Sequence, residues 1–408
     1  MTVFEDRLSR VAALRPRVQM RVPRPPVETS PTSERLIRLL GGESRTNRFG
    51  GHICVRCRFT QPKPSALSPR ALRLLSPGSP ESICDISQWL FLDTETTGLA
   101  GGTGTYAFLV GLAWWEADGF VVEQYFMRDH GEEASLLLEV LERLGQRRVL
   151  VTFNGKSFDW PLLQTRFQMA RIRPVPELAA HLDLLHPARQ IWRLSLKSVA
   201  LAQLERHVLQ LDRGHDILSE TIPQRYFDFL RGGPPEEIAE VFRHNQLDLS
   251  GLAFLALRMS DLLDNPESRE CAAGELFGIS RILQRRGESS SAERIYRRAL
   301  DEGLPEAAEQ IARRELALMA KRGGNFELST ALWEKLLGDS AEGLKAYEQL
   351  AMYYEHQASQ PQTAAALTRE ALLRLQESFR AGRIPSHKYQ QWHASFQHRL
   401  SRLSTKIR

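Results

Sequence analysis

Two carboxylates, Asp93 and Glu95, lie two residues apart in the apolar stretch WLFLDTE, for which a buried strand is predicted. Side chains at positions i and i+2 of a strand project from the same face, so the two carboxylates would lie side by side. Adjacent carboxylates repel each other unless a cation neutralises them. Their hard oxygen atoms suit Mg²⁺ or Mn²⁺. A strand end with solvated acids has the same local pattern, so this motif alone leaves both interpretations open.

Two further acids follow in elements that are otherwise apolar. FNGKSFDW places Asp159 at the start of a predicted helix, directly after a predicted strand. RHNQLD places Asp248 four residues after His244 within a long predicted helix, and residues four apart share a helix face. Unpaired acids in apolar elements are costly for a protein core. The pattern therefore predicts a metal cage with His244 as a candidate base. Its predicted ligands are Asp93, Glu95, Asp159 and Asp248.

The elements that must position these side chains alternate from about residue 86 onward. Three predicted strands with hairpin connections precede an amphipathic helix and a further strand; their sequences are WLFLDTE, TYAFLVGLAWW, FVVEQYFM, EEASLLLEVLERLG and RVLVTFN. Further helices are predicted for SFDWPLLQTRFQMA, LSLKSVALAQL and the long segment that begins PPEEIAEVF. This order indicates an α/β fold, with a mixed sheet flanked by helices.

The composition changes along the chain and predicts five segments. Residues 1–33 are rich in Pro and Arg and are expected to be a disordered basic tail. Residues 34–85, with the helix ERLIRLL and the strand HICVRCRF, are expected to be a small appendage and linker to the main domain at 86–265. Residues 266–380 are predicted to be all-helical, and residues 381–408 are expected to form a second basic tail.

Leucines recur about every 36 residues in the predicted helical region, at positions 300, 336 and 372. This period resembles tetratricopeptide-type helical hairpins, of which about three are needed to bury a continuous core. A generic helical bundle is the alternative interpretation.

The composition of the 408 residues, 42% hydrophobic and 25% charged, is that of an ordinary soluble protein. No stretch is long and apolar enough to span a bilayer, and the N-terminus lacks the apolar centre of a signal peptide. A cytoplasmic protein without a membrane partner is therefore expected. Residues 1–90 carry 15 Lys and Arg against 7 Asp and Glu, which is typical of a nucleic-acid partner and equally of solvated tails.

The motifs DTE, NGKSFD and HNQLD, in that order, resemble the three exonuclease motifs of the DEDD superfamily of 3′–5′ exonucleases. Longer stretches, FLDTETTGLAGGTGTYAFLVG, TFNGKSFDWPLL, HLDLLH and HNQLDLSGL, resemble the bacterial YprB-type ribonuclease H-like domain over about residues 86–262. The resemblance implies a ribonuclease H-like mixed sheet flanked by helices, followed here by an all-α helical-repeat domain. It also implies an exonuclease domain at 86–265.

The resemblance further implies two divalent ions, Mg²⁺ or Mn²⁺. Asp93 would bridge both ions, Glu95 and Asp248 would complete one site, and Asp159 would support the other. His244 would orient or deprotonate the attacking water. It stands four residues before the last Asp, a spacing that the superfamily usually gives to Tyr. A hydrogen-bonding role near Asn245 or the substrate is therefore the alternative for His244.

Weaker candidates for substrate contact surround these motifs. The glycine-rich stretch LAGGTGTY lacks the Lys-Ser/Thr ending of a P-loop, so its backbone would approach a sugar or phosphate or simply form a turn. Lysines are candidate phosphate contacts, and an aromatic ring is a candidate for base stacking. The predicted substrate-binding residues are Thr96, Gly102, Thr103, Asn154, Lys156, Phe158, Lys197 and Asn245.

The sequence as a whole predicts a metal-dependent 3′–5′ exonuclease that acts on DNA or RNA, preferentially single-stranded, from the 3′ end. The helical repeats would bind a protein partner or the substrate. The alternative is a catalytically silent ribonuclease H-like scaffold that binds nucleic acid or protein.

Overall fold

A computed structural model describes residues 30–61, 63–64, 67–98, 104–267, 270–338 and 340–407. The predicted substrate contacts Gly102 and Thr103, and nearly all of the predicted N-terminal tail, lie outside these ranges. The chain forms two compact units. The sheet unit comprises the described parts of Met1–Leu67, Gly78–Leu184 and Leu201–Ala256, and the helical unit comprises those of Ser68–Pro77, Leu185–Ala200 and Leu257–Arg408. Both units are discontinuous in sequence, whereas the predicted segments are contiguous.

The sheet unit contains the predicted mixed sheet, with seven strands in the order β1-β2-β5-β4-β3-β6-β7. The strands are β1 (Glu43–Asn47), β2 (Gly50–Phe59), β3 (Trp89–Thr96), β4 (Ala107–Glu116), β5 (Gly119–Phe126), β6 (Val149–Thr152) and β7 (Ala180–Asp183). β3 is antiparallel to β4 and parallel to β6, which is in turn parallel to β7. β3 is therefore an interior strand, and its carboxyl end lies at the same sheet edge as those of β6 and β7.

The two strands of the predicted appendage are part of this sheet. β2 pairs antiparallel with β5, with Ile53 opposite Phe126. Ile53 and Val55 are buried in the main core. An isolated hairpin buries too little apolar surface to be stable in water. Pairing with β5 gives β1 and β2 the additional apolar burial that they need. The two strands of the predicted small appendage thus extend the sheet of the main domain, and the predicted domain bounds stay predictions.

The helices of the sheet unit cover the sheet and carry part of the site. They are Pro31–Leu40, Glu133–Gln146, Asp159–Met169, Leu201–His207, Ile222–Leu230 and the long helix Pro235–Asp264, whose last residues belong to the helical unit. The helix predicted for LSLKSVALAQL begins only at Leu201. Ser198 Oγ accepts a hydrogen bond from the backbone N–H of Ala200 at 3.3 Å, and such local bonds compete with helix formation.

The helical unit is all-α in its described residues, as predicted. Its helices are Pro69–Leu75, Leu185–Trp192, Ala273–Arg285, Ser289–Asp301, Glu306–Arg322, Phe326–Glu334, Ala341–His356, Pro361–Arg380 and Ser386–Ile407. Leu300 and Leu372 lie in helices, whereas Leu336 lies in the turn after Phe326–Glu334. The tetratricopeptide type of these helices stays a prediction. In the described ranges, none of the helices has the length and apolar character needed to cross a bilayer.

A buried acid, Glu355, joins two helices of this unit. Its side chain is fully buried and accepts hydrogen bonds from Arg399 at 3.0 Å, Arg402 at 2.7 Å and Lys406 at 2.9 Å. Burial opposes ionisation of this carboxyl, but the bonds from Arg402 and Lys406 outweigh it and lower its pKa to about 2. Because the pKa in the folded protein is below the ordinary value, the cluster stabilises the fold above about pH 4.5 and loses this contribution as the pH falls towards 2.

Replacing Glu355 by Gln should therefore destabilise the contact with the last helix by about 1–2 kcal/mol, because charge-assisted hydrogen bonds are lost. Backbone amides in 386–407 should exchange with deuterium about 5- to 30-fold faster at pH 7. Glu370→Gln, which removes an exposed pair with Arg374 on one helix, is the matched control and should change exchange little. Equal exchange in the two variants would contradict the structural role of Glu355.

Candidate functional site

The first two predicted ligands lie at the carboxyl end of β3. Asp93 pairs with Gly111 of β4 across the sheet, and the register of the two strands shifts between Glu95 and Thr96. Irregularities of this kind change the direction of side chains and are common beside active sites. Glu95 is buried, and Asp93 is mostly buried.

Asp159 reaches the same edge from the neighbouring strand. β6 runs parallel to β3, with Val151 opposite Phe91, and the chain then turns into the helix that begins at Asp159. Thr94 Oγ1 donates a hydrogen bond to Asp159 Oδ1 at 2.5 Å, which fixes the carboxylate against β3. A carboxylate in the first turn of a helix is also favoured by the helix dipole.

The turn between β6 and this helix is shaped by Asp183, the last residue of β7. Its carboxylate accepts the backbone N–H groups of Asn154, at 2.8 Å, and Lys156, at 3.0 Å. Asn154 has a φ of 70°, in the left-handed region that Asn tolerates better than most residues. Asp183 thus holds the backbone that carries Asp159 into the site.

The long helix Pro235–Asp264 supplies the remaining members. His244 and Asp248 lie on one face, as predicted, with His244 Nε2 3.5 Å from Asp248 Oδ2. One potential ligand atom from each of Glu95, His244 and Asp248 lies within 4.8 Å of the others. Residues separated by some 150 positions in sequence therefore converge on the end of β3.

Asn245, a predicted substrate contact, holds Asp93 in the structure. It is fully buried, donates from Nδ2 to Asp93 Oδ2 at 2.7 Å, and accepts at Oδ1 a hydrogen bond from Gln124 Nε2 at 2.8 Å. An added Cβ at Gly111 would lie 2.1 Å from Asn245 Oδ1. Asn245 thus orients Asp93 through the space that Gly111 leaves, and its predicted contact with the substrate stays a prediction.

The sequence interpretation missed an arginine that contacts the cage. Arg213 donates to both oxygens of Glu205, from Nη1 to Asp216 Oδ2 at 2.9 Å, and from Nη2 to Asp248 Oδ1. Arg213 lies between two helices, in LDRGHD, where no periodicity marks a buried residue. The only sequence signal was the mixture of charges, which is typical of any solvated loop.

The electrostatics of the cage follow from burial and mutual repulsion. Burial raises the pKa of Asp93 well above its usual range, and the charges of Asp248, Glu95 and Asp159 raise it further. Burial and the charges of Asp248 and Asp159 likewise raise the pKa of Glu95. Burial raises the pKa of Asp159 against the opposing hydrogen bond from Thr94. In the absence of a cation, ionisation of these groups therefore opposes folding.

The donor set fits a hard divalent ion. One oxygen of each aspartate is held by a protein donor, because Asn245 binds Asp93, Thr94 binds Asp159 and Arg213 binds Asp248. Such bonds fix the orientation of metal-binding carboxylates. Among the described residues, no Lys or Arg forms an ion pair with Asp93, Glu95 or Asp159. Four oxygen ligands and a neighbouring imidazole are chemistry that Mg²⁺ and Mn²⁺ accept.

The other predicted substrate contacts stay predictions. Phe158, directly before Asp159, is 55% exposed, and Lys156 is also exposed. Thr96 Oγ1 donates to the backbone oxygen of Gly98 at 3.0 Å. Lys197 is exposed and belongs to the helical unit.

Comparison with known proteins identifies the fold of this region. Residues 90–260 match the family model described as RNase_H superfamily. The chain is 32% identical over 270 residues to "Uncharacterized protein YprB" of Bacillus subtilis (strain 168), a homologue, with 65% of this chain and 64% of that protein covered. The chain thus spans somewhat less than two thirds of that relative's length.

A solved structure, the family B DNA polymerase of the archaeon Pyrobaculum calidifontis, is similar at 15% identity and a TM-score of 0.35. The similarity covers 58% of this chain and 29% of the polymerase. At this level it carries no conclusion about function.

Replacing Gly111 by Ala should disrupt the support of Asp93, because the added methyl group overlaps Asn245 Oδ1 and lies 2.7 Å from Leu249 Cδ1. We expect a loss of about 1–3 kcal/mol in the free energy of unfolding, measured in urea, together with weaker Mn²⁺ binding. Gly145→Ala, where the nearest atom lies 4.0 Å away, is the control and should be neutral or slightly stabilising. Unchanged stability of the Gly111 variant would show that Asn245 does not occupy this position.

Adding Mn²⁺ or Mg²⁺ to wild-type protein from which EDTA has removed metal should raise the melting temperature. At a metal concentration of 100 times the dissociation constant, the added free energy of unfolding is about 2.7 kcal/mol. Asp93→Asn should lose this increase. Without metal it should be at least as stable as the wild type, because one repelling charge is gone. Differential scanning calorimetry at constant ionic strength measures both effects. An equal increase in the variant would place the ions elsewhere.

Proposed function

We propose that this chain is a metal-dependent 3′–5′ exonuclease of the DEDD type that hydrolyses phosphodiester bonds of single-stranded nucleic acid. The match of residues 90–260 to the RNase_H superfamily model supports a nuclease. The observation that carries the proposal is the convergence of four carboxylates and one imidazole at the end of β3. A nuclease-like fold alone would not distinguish an enzyme from a scaffold. The complete set of ligands favours the enzyme.

In this proposal Asp93, Glu95, Asp159 and Asp248 hold two Mg²⁺ or Mn²⁺ ions. Bound ions of this kind lower the pKa of a water molecule and stabilise the charge that develops on the phosphate and the leaving oxygen. The protein's own contribution is orientation. Asn245, Thr94 and Arg213 hold the three aspartates in place before any ion or substrate binds.

His244 is the proposed base. Its Nε2 faces Asp248, at 3.5 Å, so this nitrogen lies at the edge of the cage where the attacking water would be held. A neutral imidazole whose Nε2 carries the lone pair can accept the proton that the water loses. Burial of His244 beside carboxylates keeps the ring in one place.

The proposed substrate contacts lie next to Asp159. Phe158 exposes more than half of its side chain and could stack on the terminal base, and exposed Lys156 could contact a phosphate. A single strand with a free 3′ end suits such a site, because its terminal base can leave the stack at low cost. We further propose that the helical unit binds a partner protein or the substrate.

The test uses 5′-labelled single-stranded DNA and RNA with Mn²⁺, Mg²⁺ or EDTA. The wild type should produce a ladder that shortens from the 3′ end only with metal, and a circular single strand should survive. Asp93→Ala should lower the rate at least about 100-fold, because it removes a ligand at the centre of the cage. Asp118→Asn, an exposed acid outside the site, should keep the wild-type rate.

Two outcomes would contradict the proposal. Cleavage of the circle would show an endonuclease. Intact substrates that still bind the wild type, with the same affinity for the Asp93 variant, would favour the catalytically silent scaffold.

A further inference from the structure

Both ring nitrogens of His244 have partners in the segment 213–219, and Nε2 also faces Asp248 of the cage. His244 Nδ1 lies 2.8 Å from Asp216 Oδ1, and Nε2 lies 3.3 Å from Ser219 Oγ. The imidazole is 5% exposed, so water does not compete freely for these positions. The shorter and charge-assisted contact is the one to Asp216.

The segment that carries Asp216 is itself anchored at several points. Arg213 Nη1 donates to Asp216 Oδ2 at 2.9 Å, and Arg213 also binds Glu205 of the preceding helix. Arg243, the neighbour of His244, donates to the backbone oxygens of Arg213, at 3.0 Å, and of His215. The Asp216 carboxylate therefore has one oxygen on Arg213 and the other on His244, and cannot turn away without losing both bonds.

This arrangement determines where the imidazole carries its proton. A carboxylate paired with Arg213 is an acceptor, so the contact at 2.8 Å requires a hydrogen atom on Nδ1. In the neutral ring Nε2 then has a lone pair, to which Ser219 Oγ can donate. The opposite tautomer would place two acceptors against each other at Nδ1 and would put the Nε2 proton where a base needs a lone pair.

We propose that Asp216 is a positioning residue that holds His244 in the Nδ1–H tautomer, with Nε2 directed at the carboxylate cage. Asp216 acts through His244 and does not itself touch the cage ligands in this role. The inference rests on the proposed function for its consequence in catalysis. The tautomer and orientation of His244 can be measured whether or not the chain is a nuclease.

The test is a long-range ¹H–¹⁵N correlation spectrum of the full chain with ¹⁵N-labelled histidine, in EDTA, at a pH where His244 is neutral. Comparison with His244→Gln identifies its signals among the 11 histidines. The wild type should show the Nδ1–H pattern. Asp216→Asn should shift the population towards Nε2–H, because an Asn amide can donate to Nδ1.

Asp212→Asn is the matched control. Asp212 lies in the same segment, is exposed, and accepts a hydrogen bond only from the backbone of Gly214 among the contacts of the described chain. Its substitution should leave the His244 pattern unchanged. The wild-type spectrum decides the question even if Asp216→Asn does not fold, because a wild-type Nε2–H pattern overturns the proposal.

The second readout separates positioning from nuclease function. If the exonuclease is confirmed, Asp216→Asn should lower kcat by about 10- to 100-fold and change KM by less than about 3-fold, because substrate contacts are untouched. An unchanged tautomer or an unchanged kcat would each overturn the proposed role. If no substrate is cleaved by the wild type but the tautomer changes as expected, the positioning of His244 stands and the proposed function fails.

Discussion

The site depends on one constraint, the repulsion among carboxylates gathered at the buried end of β3. Burial and mutual repulsion raise the pKa of Asp93 and Glu95, so the folded chain resists their ionisation. The surrounding structure reduces this cost without removing it. Asn245 and Thr94 each donate a hydrogen bond to one carboxylate, which stabilises the charged form and fixes its direction. What these donors cannot supply is positive charge, and a bound divalent ion would supply it.

The topology brings the acids together from distant parts of the sequence. β3 is an interior strand whose parallel neighbour β6 ends at the same edge, so the helix that begins at Asp159 starts beside Asp93. The helix Pro235–Asp264 approaches the opposite neighbour, β4, closely enough that Gly111 has no room for a side chain. The absence of a Cβ at one position of β4 is thus a condition for the contact between Asn245 and Asp93. Sheet order, helix approach and carboxylate orientation are parts of one arrangement.

Much of the fold, and the convergence of the candidate ligands, could be predicted from local patterns. The apolar run of β3 marks a buried strand, and the spacing of His244 and Asp248 places both on one helix face. The local patterns did not predict features that depend on contacts between residues distant in sequence. The sequence of β2 does not show its pairing with β5, and the sequence around Asn245 does not show the close approach of the helix to Gly111. Arg213 and Asp216 carried no periodic signal, because loop residues are positioned by partners distant in sequence.

The charge balance around Arg213 shows why the excess of negative charge at the cage comes from the fold rather than from the motifs alone. Arg213 contacts Asp248, but it also binds Glu205 and Asp216, so one guanidinium is shared among three carboxylates. Burial raises the pKa of Glu205, whereas the bonds from Arg213 and His244 outweigh burial and lower that of Asp216. Arg213 therefore cannot neutralise the cage, and its contribution to Asp248 is mainly directional. Asp93, Glu95 and Asp159 have no share in that guanidinium. The chain therefore positions these carboxylates firmly and, among the described residues, leaves them without matching positive charge, which is the charge balance that the proposed binding of divalent cations requires.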